Sequence, residues 1–454
     1  MFAEVSLPIS SFQNFTYSIP ENLKNSLLVG SRVKVPFGAR KVSGIIVSLI
    51  EESSFAGNLK SIIDVDDNTP VLSNELWKLV NWISHYYVTP IGLAYNTVLP
   101  FSLLSNHSPK RAWFVRYVAR HKNNKKNTYE KLSPKQNSVF EAIRQAPLEY
   151  IKVSRFKAIS SNPISICKAL EKKGLVELKK RNQDKAIEET SFKSFKKKIL
   201  YNKEQLIVIK SLKTAIKSGV YSPNLLHGVT GSGKTEIFIE IIKTVKKLGK
   251  CSIVLIPEIS LTSQIAGRFK QVFGDDMALW HSQLSKSQRA KTWRDINDGT
   301  CKIVIGARSA IFSPVKNLGL IIVDEEHDSS YKQDSPSPRY HARDVAIMRS
   351  KIEKCTVVLS SATPSLETFY NYKLKKYKYL TLSKRYGDAR YPKVRVVDLI
   401  DESKETGKFN ITISGLLQEK IEKRLSDNEQ ILLIQNRRGF SPTVKCSDCG
   451  SVVM

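Results

Sequence analysis

Residues Gly228 to Thr235 read Gly-Val-Thr-Gly-Ser-Gly-Lys-Thr and fit the phosphate-cradling pattern G-x-x-x-x-G-K-[ST] at every fixed position. The pattern constrains the fold because it works only as a turn between a buried strand and the first turn of a helix. Its flanks meet that condition. Leu225-Leu226-His227 reads as a buried strand, and apolar residues recur at helical spacing from Glu236 to Leu248 (Ile237, Ile241, Val245; Phe238, Ile242), up to a stop at Gly249. Gly228, Thr230, Gly231, Ser232 and Gly233 then form the cradle for a nucleotide, Lys234 reaches the outer phosphates, and the Thr235 hydroxyl is a ligand for Mg2+. A glycine-rich turn could match these eight residues by chance; the strand before and the helix after make the match a P-loop.

The chain downstream repeats the buried-strand pattern. Strands are expected at about 224–227, 252–256, 303–305, 320–323 and 357–360, each followed by a polar loop, which is the spacing of an α/β parallel sheet with helical crossovers. Ligand-binding residues of such sheets collect at the carboxyl ends of the strands. There Gly319-Leu320-Ile321-Ile322-Val323 runs into Asp324-Glu325-Glu326-His327, so Asp324 is placed to hold Mg2+ and Glu325 to orient or deprotonate the attacking water. Acids at a strand end can also merely cap the next helix; a P-loop upstream favours the chemical role. Ser360-Ser361-Ala362-Thr363-Pro364-Ser365 follows a further buried strand, and its hydroxyls can bond the acidic run and sense the γ-phosphate, although alone it would be an ordinary turn.

The 454 residues exceed one ordinary core and predict three or four domains. Lys and Arg number 72 against 42 Asp and Glu, a formal charge of +30, which points to nucleic acid before an anionic membrane; a lysine-rich solvated surface is the bland alternative. Residues 1–105 alternate apolar and polar residues in short runs, with strands at Val33–Phe37 and Val42–Leu49 joined by the Gly38–Lys41 turn and a helix at Asn74–Tyr87, and predict a small β-rich domain. Residues 110–198 turn basic. Helices at Pro134–Ala146 and Ile164–Lys173 and a strand at Gly174–Leu178 are the order of a winged-helix module, which binds DNA or only packs on a neighbour, between polar stretches at 121–131 and 179–198. Residues 199–385 carry the P-loop unit, and 386–454 begin another. Of six cysteines four stand alone, as reduced structural thiols do, and Cys446 and Cys449 form a C-x-x-C. No apolar run reaches membrane-span length and no signal peptide opens the chain, so a cytoplasmic location without membrane partners is expected.

P-loop, Asp-Glu-x-His and Ser-Ala-Thr together resemble the helicases of superfamily 2 and, within them, the family of bacterial primosomal replication-restart helicases, that of primosomal protein N′. The finer likeness lies in Phe15-Thr16-Tyr17, Val33 to Gly38, Tyr86-Tyr87, Pro90-Ile91-Gly92, Leu200 to Gln205, Ile256 to Thr262, His281-Ser282, Gly306 to Ala310, Asp324 to Gln333, Arg339 to Asp344 and Asn436 to Pro442. The resemblance implies a RecA-like helicase lobe that uses ATP and Mg2+, with His327 joining Lys234, Asp324 and Glu325 in catalysis and Gln205 contacting the adenine. It implies an amino-terminal domain that reads the 3′ end of a nascent strand through Phe15, Thr16, Gly38 and Lys60, and a loop that couples DNA contact to hydrolysis. In that loop Tyr331 and Tyr340 would stack bases while Lys332, Arg339 and Arg343 meet phosphates. Cys446 and Cys449 would be half of a Zn2+ site, whose other two ligands the chain does not supply.

The implied function is 3′-to-5′ DNA unwinding at stalled or abandoned forks, with forked and single-stranded DNA, single-stranded DNA-binding protein and primosome proteins as partners. Two departures modify it. Thr16 stands where the family usually has aspartate, so 3′-end recognition is expected either to be weaker or to rest on Phe15, Gly38 and Lys60 alone. The sequence ends at Met454, before the arginine-bearing motifs of a second lobe, so the rival expectation is a truncated nucleotide-binding, fork-recognising module without efficient hydrolysis.

Overall fold

Alternating apolar residues build the first domain as a small closed sheet. The structure is a computed structural model and describes residues 1–24, 26–52, 58–65, 72–99, 111–118, 132–144, 150–182, 200–257, 263–385, 393–407, 411–434, 444–445 and 452–453. Strands β1 (Phe2–Ser6), β2 (Phe15–Ser18), β3 (Arg32–Phe37), β4 (Arg40–Ile50) and β5 (Asp64–Val65) pair antiparallel in the order β2-β1-β4-β3-β5. Ser18 N–H donates to Lys60 O at 3.0 Å and Ile62 N–H to Ser18 O at 3.1 Å, which joins the two edges. Val5, Val33, Val35 and Ile46, on the inward phase of the alternation, fill the interior.

Helix α1 (Asn74–Tyr86) begins where the Ser73 side chain accepts the Leu76 N–H, and its apolar face is Leu76, Leu79, Val80 and Ile83. That face stands outside the core within the sheet and meets Ile45 of β4 from without. It shares one continuous core with Val345, Ala346, Tyr331 and Tyr340 of the P-loop unit. Helix α2 (Ile91–Val98) follows, and at Gly92 it comes so close to β1 that a Cβ would lie 2.1 Å from Leu7 O.

Residues 111–182 form a separate layer with its own core. β6 (Arg111–Tyr117), α3 (Pro134–Arg144), β7 (Ile151–Lys152), α4 (Pro163–Lys172) and β8 (Val176–Asn182) give two helices and a three-stranded antiparallel sheet, β7-β6-β8, around Phe140, Ile143, Phe156 and Leu170. The basic stretch at 121–131, and that of 179–198 beyond residue 182, lie outside the described residues.

Residues 200–385, the motor of the expected helicase lobe, build a seven-stranded, wholly parallel sheet. In chain order it runs α5 (Lys203–Ser218), β9 (Ser222–Gly228), α6 (Lys234–Lys247), β10 (Cys251–Leu255), α7 (Ser263–Phe273), β11 (Met277–Trp280), α8 (Lys286–Asn297), β12 (Ile303–Gly306), β13 (Leu318–Asp324), α9 (Ala342–Ile352), β14 (Thr356–Ser361), α10 (Leu366–Lys373) and β15 (Lys378–Leu382). The strand order is β11-β12-β10-β13-β14-β9-β15. The five expected strands are its middle; the edge strands β11 and β15 were not anticipated.

Residues 389–454 form a second unit. In it α11 (Leu399–Thr406) is capped by Asp398 and α12 (Gly415–Ser426) by Ser414, and β16 (Val444–Lys445) pairs antiparallel with β17 (Val452–Val453).

Candidate functional site

The parallel register sets the ends of β13, β14 and β9 side by side, with Asp324 opposite Ser360 and Ser361 opposite His227. The chain crosses over on either side of this point, so the edge is open to a ligand. β9 ends at Gly228, the loop turns through Gly231 and Gly233 at φ +76° and +80°, and α6 begins at Lys234. Thr230 and Gly231 are exposed, while Ser232 is buried with its hydroxyl unpaired. Lys234 Nζ donates to Glu325 Oε1 at 3.1 Å and to Gly228 O at 3.3 Å.

Asp324 is the group best suited to a cation. Its Oδ1 is closed off from solvent and meets no hydrogen-bond donor. Burial pushes the carboxyl up to about 6, an effect opposed by the nearby Lys234 ammonium. A shielded carboxylate oxygen without a donor, at the end of the strand next to the P-loop, is the kind of group that fits Mg2+; Asp324 would hold the ion together with the hydroxyl of Thr235 in the first turn of α6. Among the described residues no group of three or more His, Cys, Asp or Glu side chains gathers to hold a metal, here or elsewhere. Cys446 and Cys449, expected as Zn2+ ligands, lie outside the described residues, as do Glu258 to Thr262 and Asn436 to Pro442.

Glu325 sits at φ +46°, a costly conformation for a residue with a side chain, and so turns back toward Lys234. His327 Nδ1 lies 2.8 Å from Ser361 Oγ and 3.7 Å from Glu325 Oε2, and thereby connects the acidic run to the Ser-Ala-Thr segment. Glu326, to which the sequence assigned no task, points the other way. It is fully buried and accepts from Arg343 Nη1 (3.2 Å), Ser365 N (2.7 Å) and Thr368 Oγ1 (2.8 Å). His227 was also missed. Its Nε2 donates to Ala362 O at 3.1 Å and its Nδ1 bonds the Tyr379 hydroxyl at 2.7 Å, which ties the P-loop strand to the segment after β14. Only the Ala362 and Tyr379 contacts, made across two neighbouring strands, reveal it.

Four expectations are corrected. Gln205, expected at the adenine, is 1% exposed; its Nε2 donates to Ser232 O and its Oε1 accepts the Asn202 N–H, both at 2.9 Å, so it braces the P-loop and caps α5. Tyr331 and Tyr340, expected to stack bases, are 0% and 1% exposed. Tyr331 Oη donates to Asp324 O at 2.6 Å, and Tyr340 packs edge-on to Phe312 beneath the Arg308 guanidinium. Arg343, expected at phosphate, is bonded to Glu326, Asp344 and Ser365. In each case the neighbours satisfy the side chain before a ligand can. Lys332 and Arg339 do remain at the surface of the loop, Lys332 partly buried and Arg339 exposed.

In the barrel the Phe15 ring lies 5.1 Å from that of Phe37, next to the left-handed turn at Gly38. The backbone bond from Ser18 to Lys60 brings that segment alongside β2, which carries Thr16. Phe15, Thr16, Gly38 and Lys60 thus belong to adjoining strands and turns of one small sheet.

Residues 4–100 match the family described as 3'DNA-binding domain (3'BD), and residues 197–371 match DEAD/DEAH box helicase. Among curated proteins, Replication restart protein PriA of Bacillus subtilis (strain 168) is 34% identical over 519 residues, covering 99% of this chain and 64% of the relative. That of Chlamydia trachomatis is 36% identical over 459 residues (99% and 60%), and that of Haemophilus influenzae 35% over 454 residues (98% and 60%). The chain thus spans 60 to 64% of the length of these relatives. With both domain types in order and likeness along nearly all of its length, the chain is similar to the replication restart proteins PriA over the part of them that it spans.

Proposed function

We propose that the chain is the recognition and ATP-binding part of an ATP-dependent 3′-to-5′ DNA helicase that binds stalled or abandoned replication forks and initiates primosome assembly in the cytoplasm. Forked and single-stranded DNA are its substrates, and single-stranded DNA-binding protein and primosome proteins its partners. The observation that carries this reading is the meeting of Lys234, Asp324, Glu325 and the His327–Ser361 pair at one sheet edge. Lys234 now pairs with Glu325; a nucleotide's outer phosphates would draw the ammonium to themselves and release the Glu325 carboxylate to orient water. Asp324 and Thr235 would hold Mg2+, whose charge would offset that of the phosphates. His327 fixes the acidic run against Ser361 while this happens. Residues 111–182 are read as a winged-helix module and the first 105 residues as the reader of the 3′ end.

The test is ATP turnover by the 454-residue chain with and without forked DNA, beside Lys234→Ala, with nucleotide and fork binding recorded on the same samples. Turnover stimulated by the fork and reduced by about two orders of magnitude in the variant is expected. Binding without turnover would leave a nucleotide-responsive fork-binding module, and equal affinity for blunt duplex, RNA and a fork with a 3′ end would contradict the fork assignment.

A further inference from the structure

The end of α1 meets the loop between Tyr331 and Arg343 at three points. Tyr87 Oη accepts the backbone N–H of His341, the residue that caps α9, at 3.0 Å. Thr89, 1% exposed, shares a hydrogen bond of 3.0 Å with the Ser337 hydroxyl. The Lys332 ammonium lies 5.6 Å from the centre of the Tyr87 ring. Tyr87 and Thr89 reach the same loop because Val88 between them holds φ +46°, a region that β-branched residues avoid, while its own side chain is 76% exposed. The turn is the stop of α1 itself: Thr89 N–H donates to Ser84 O at 2.9 Å and the Ser84 hydroxyl to Thr89 O at 2.6 Å, which places Val88 in the left-handed region and aims its two neighbours at the loop.

The loop receives this contact as a preformed piece. Gln333 N–H donates to Tyr340 O at 2.9 Å, and its Nε2 donates to Pro336 O and Pro338 O at 2.9 and 3.0 Å. The base of the loop reaches the nucleotide site through Tyr331 Oη and Asp324 O. On the other side of the corner, Ser6 Oγ accepts the Gly92 N–H at 3.1 Å, so α2 is fastened to the barrel. Side-chain hydrogen bonds joined by short stretches of backbone therefore lead from β1 through Tyr87 and Thr89 to Asp324.

We propose that Tyr87 and Thr89 are positioning residues through which the amino-terminal barrel holds the 331–343 loop against the nucleotide site, so that a DNA 3′ end bound at the barrel steadies the loop. The inference rests on the DNA-binding part of the function proposed above, and goes beyond it in naming the physical link between the two domains.

Hydrogen exchange of the whole chain, free and with a fork bearing a 3′-hydroxyl end, tests it, with binding followed by fluorescence anisotropy on the same samples. In the parent chain the fork should slow exchange of the amides in 331–343. In Tyr87→Phe/Thr89→Val those amides should exchange about three- to tenfold faster in the free chain, the factor that one or two net hydrogen bonds supply, and the fork should no longer slow them. P-loop exchange and fork affinity should be unchanged. Val88→Asn, which suits the left-handed backbone and leaves both contacts in place, should behave as the parent. Loop exchange unaltered by the double variant, protection by the fork that survives it, or faster exchange throughout the motor would each overturn the link alone. A parent chain that binds no fork would overturn the proposed function and the link with it.

Discussion

Glu325 and Glu326 are neighbours in sequence, yet the φ of +46° at Glu325 sends their carboxylates to opposite sides of the β13 end. Glu325 remains a third exposed and faces Lys234, whereas Glu326 has no exposure and is met by an arginine, a backbone N–H and two hydroxyls. Removing Glu326 takes from Arg343 its fully buried partner and leaves the Ser365 N–H and the Thr368 hydroxyl without their acceptor, so Glu326→Ala should cost about 3–5 kcal/mol in urea unfolding. Glu325→Ala should stay within about 1 kcal/mol of the parent while lowering turnover by about 10²–10⁴. Equal stability losses in the two variants would refute this division of roles. Asp324 gives the corresponding pH prediction. Its carboxyl titrates near 6 in the folded chain against an ordinary 3.8, so the folded state binds a proton more tightly than the unfolded one. The nucleotide-free chain therefore loses this contribution to stability as pH rises from about 3.8 through 6. Mg2+ needs the ionised form, so affinity for Mg2+-nucleotide should fall as pH drops below 6, and the part of that fall due to Asp324 should disappear in Asp324→Asn. An identical pH profile for the two proteins would show that Asp324 is not the titrating ligand.

At the scale of elements, the junction of barrel and helix is fixed by one missing side chain. A Cβ at Gly92 would sit 2.1 Å from Leu7 O, a backbone atom at the end of β1 that cannot swing aside. Gly92→Ala should then cost about 1–3 kcal/mol in thermal or urea unfolding and part α2 from the barrel, seen as a loss of fork affinity larger than any loss of nucleotide affinity. A variant with parent stability and parent fork affinity would mean that the junction yields easily. Such close approaches are illegible in a sequence, where Gly92 looks like a helix-start glycine. The central strands were legible because they are buried on both faces and read as continuous apolar runs, Leu320 to Val323 above all. The edge strand β15, Lys-Tyr-Leu-Thr-Leu, is wet on one side and looks like loop. In the site, glycine spacing and acids after an apolar run revealed the P-loop and Asp324. Aromatic and basic residues in the next loop revealed that it matters but not which side chains face inward: Tyr331, Tyr340 and Arg343 have the composition of a DNA contact and the surroundings of a core. Gln205 misled for the same reason, since a buried capping glutamine and an exposed recognition glutamine are the same letter.

Over the whole molecule the excess of 72 basic over 42 acidic residues sets how DNA is met, and the structure sorts the basic residues by whether they are free to act. Neutralising a phosphate releases a counterion only if the cation was not already neutralised within the protein, and the slope of log affinity against log salt counts those contacts at about 0.9 each on duplex DNA. Arg343, held among Glu326, Asp344 and Glu367, has already been neutralised within the fold. Arg339, four residues earlier, is exposed at the loop surface. Fork binding should therefore weaken steeply with salt, and Arg339→Ala should weaken it alike for every DNA sequence and flatten the slope by about one. Arg343→Ala should leave the slope where it was and lower the unfolding midpoint instead, because what it removes is the partner of a buried carboxylate. Titrations over a range of salt concentrations, run on both variants below their unfolding temperatures, separate the two outcomes. A slope that changes with Arg343 and not with Arg339 would show that the loop opens on DNA and exchanges its internal ion pairs for phosphate.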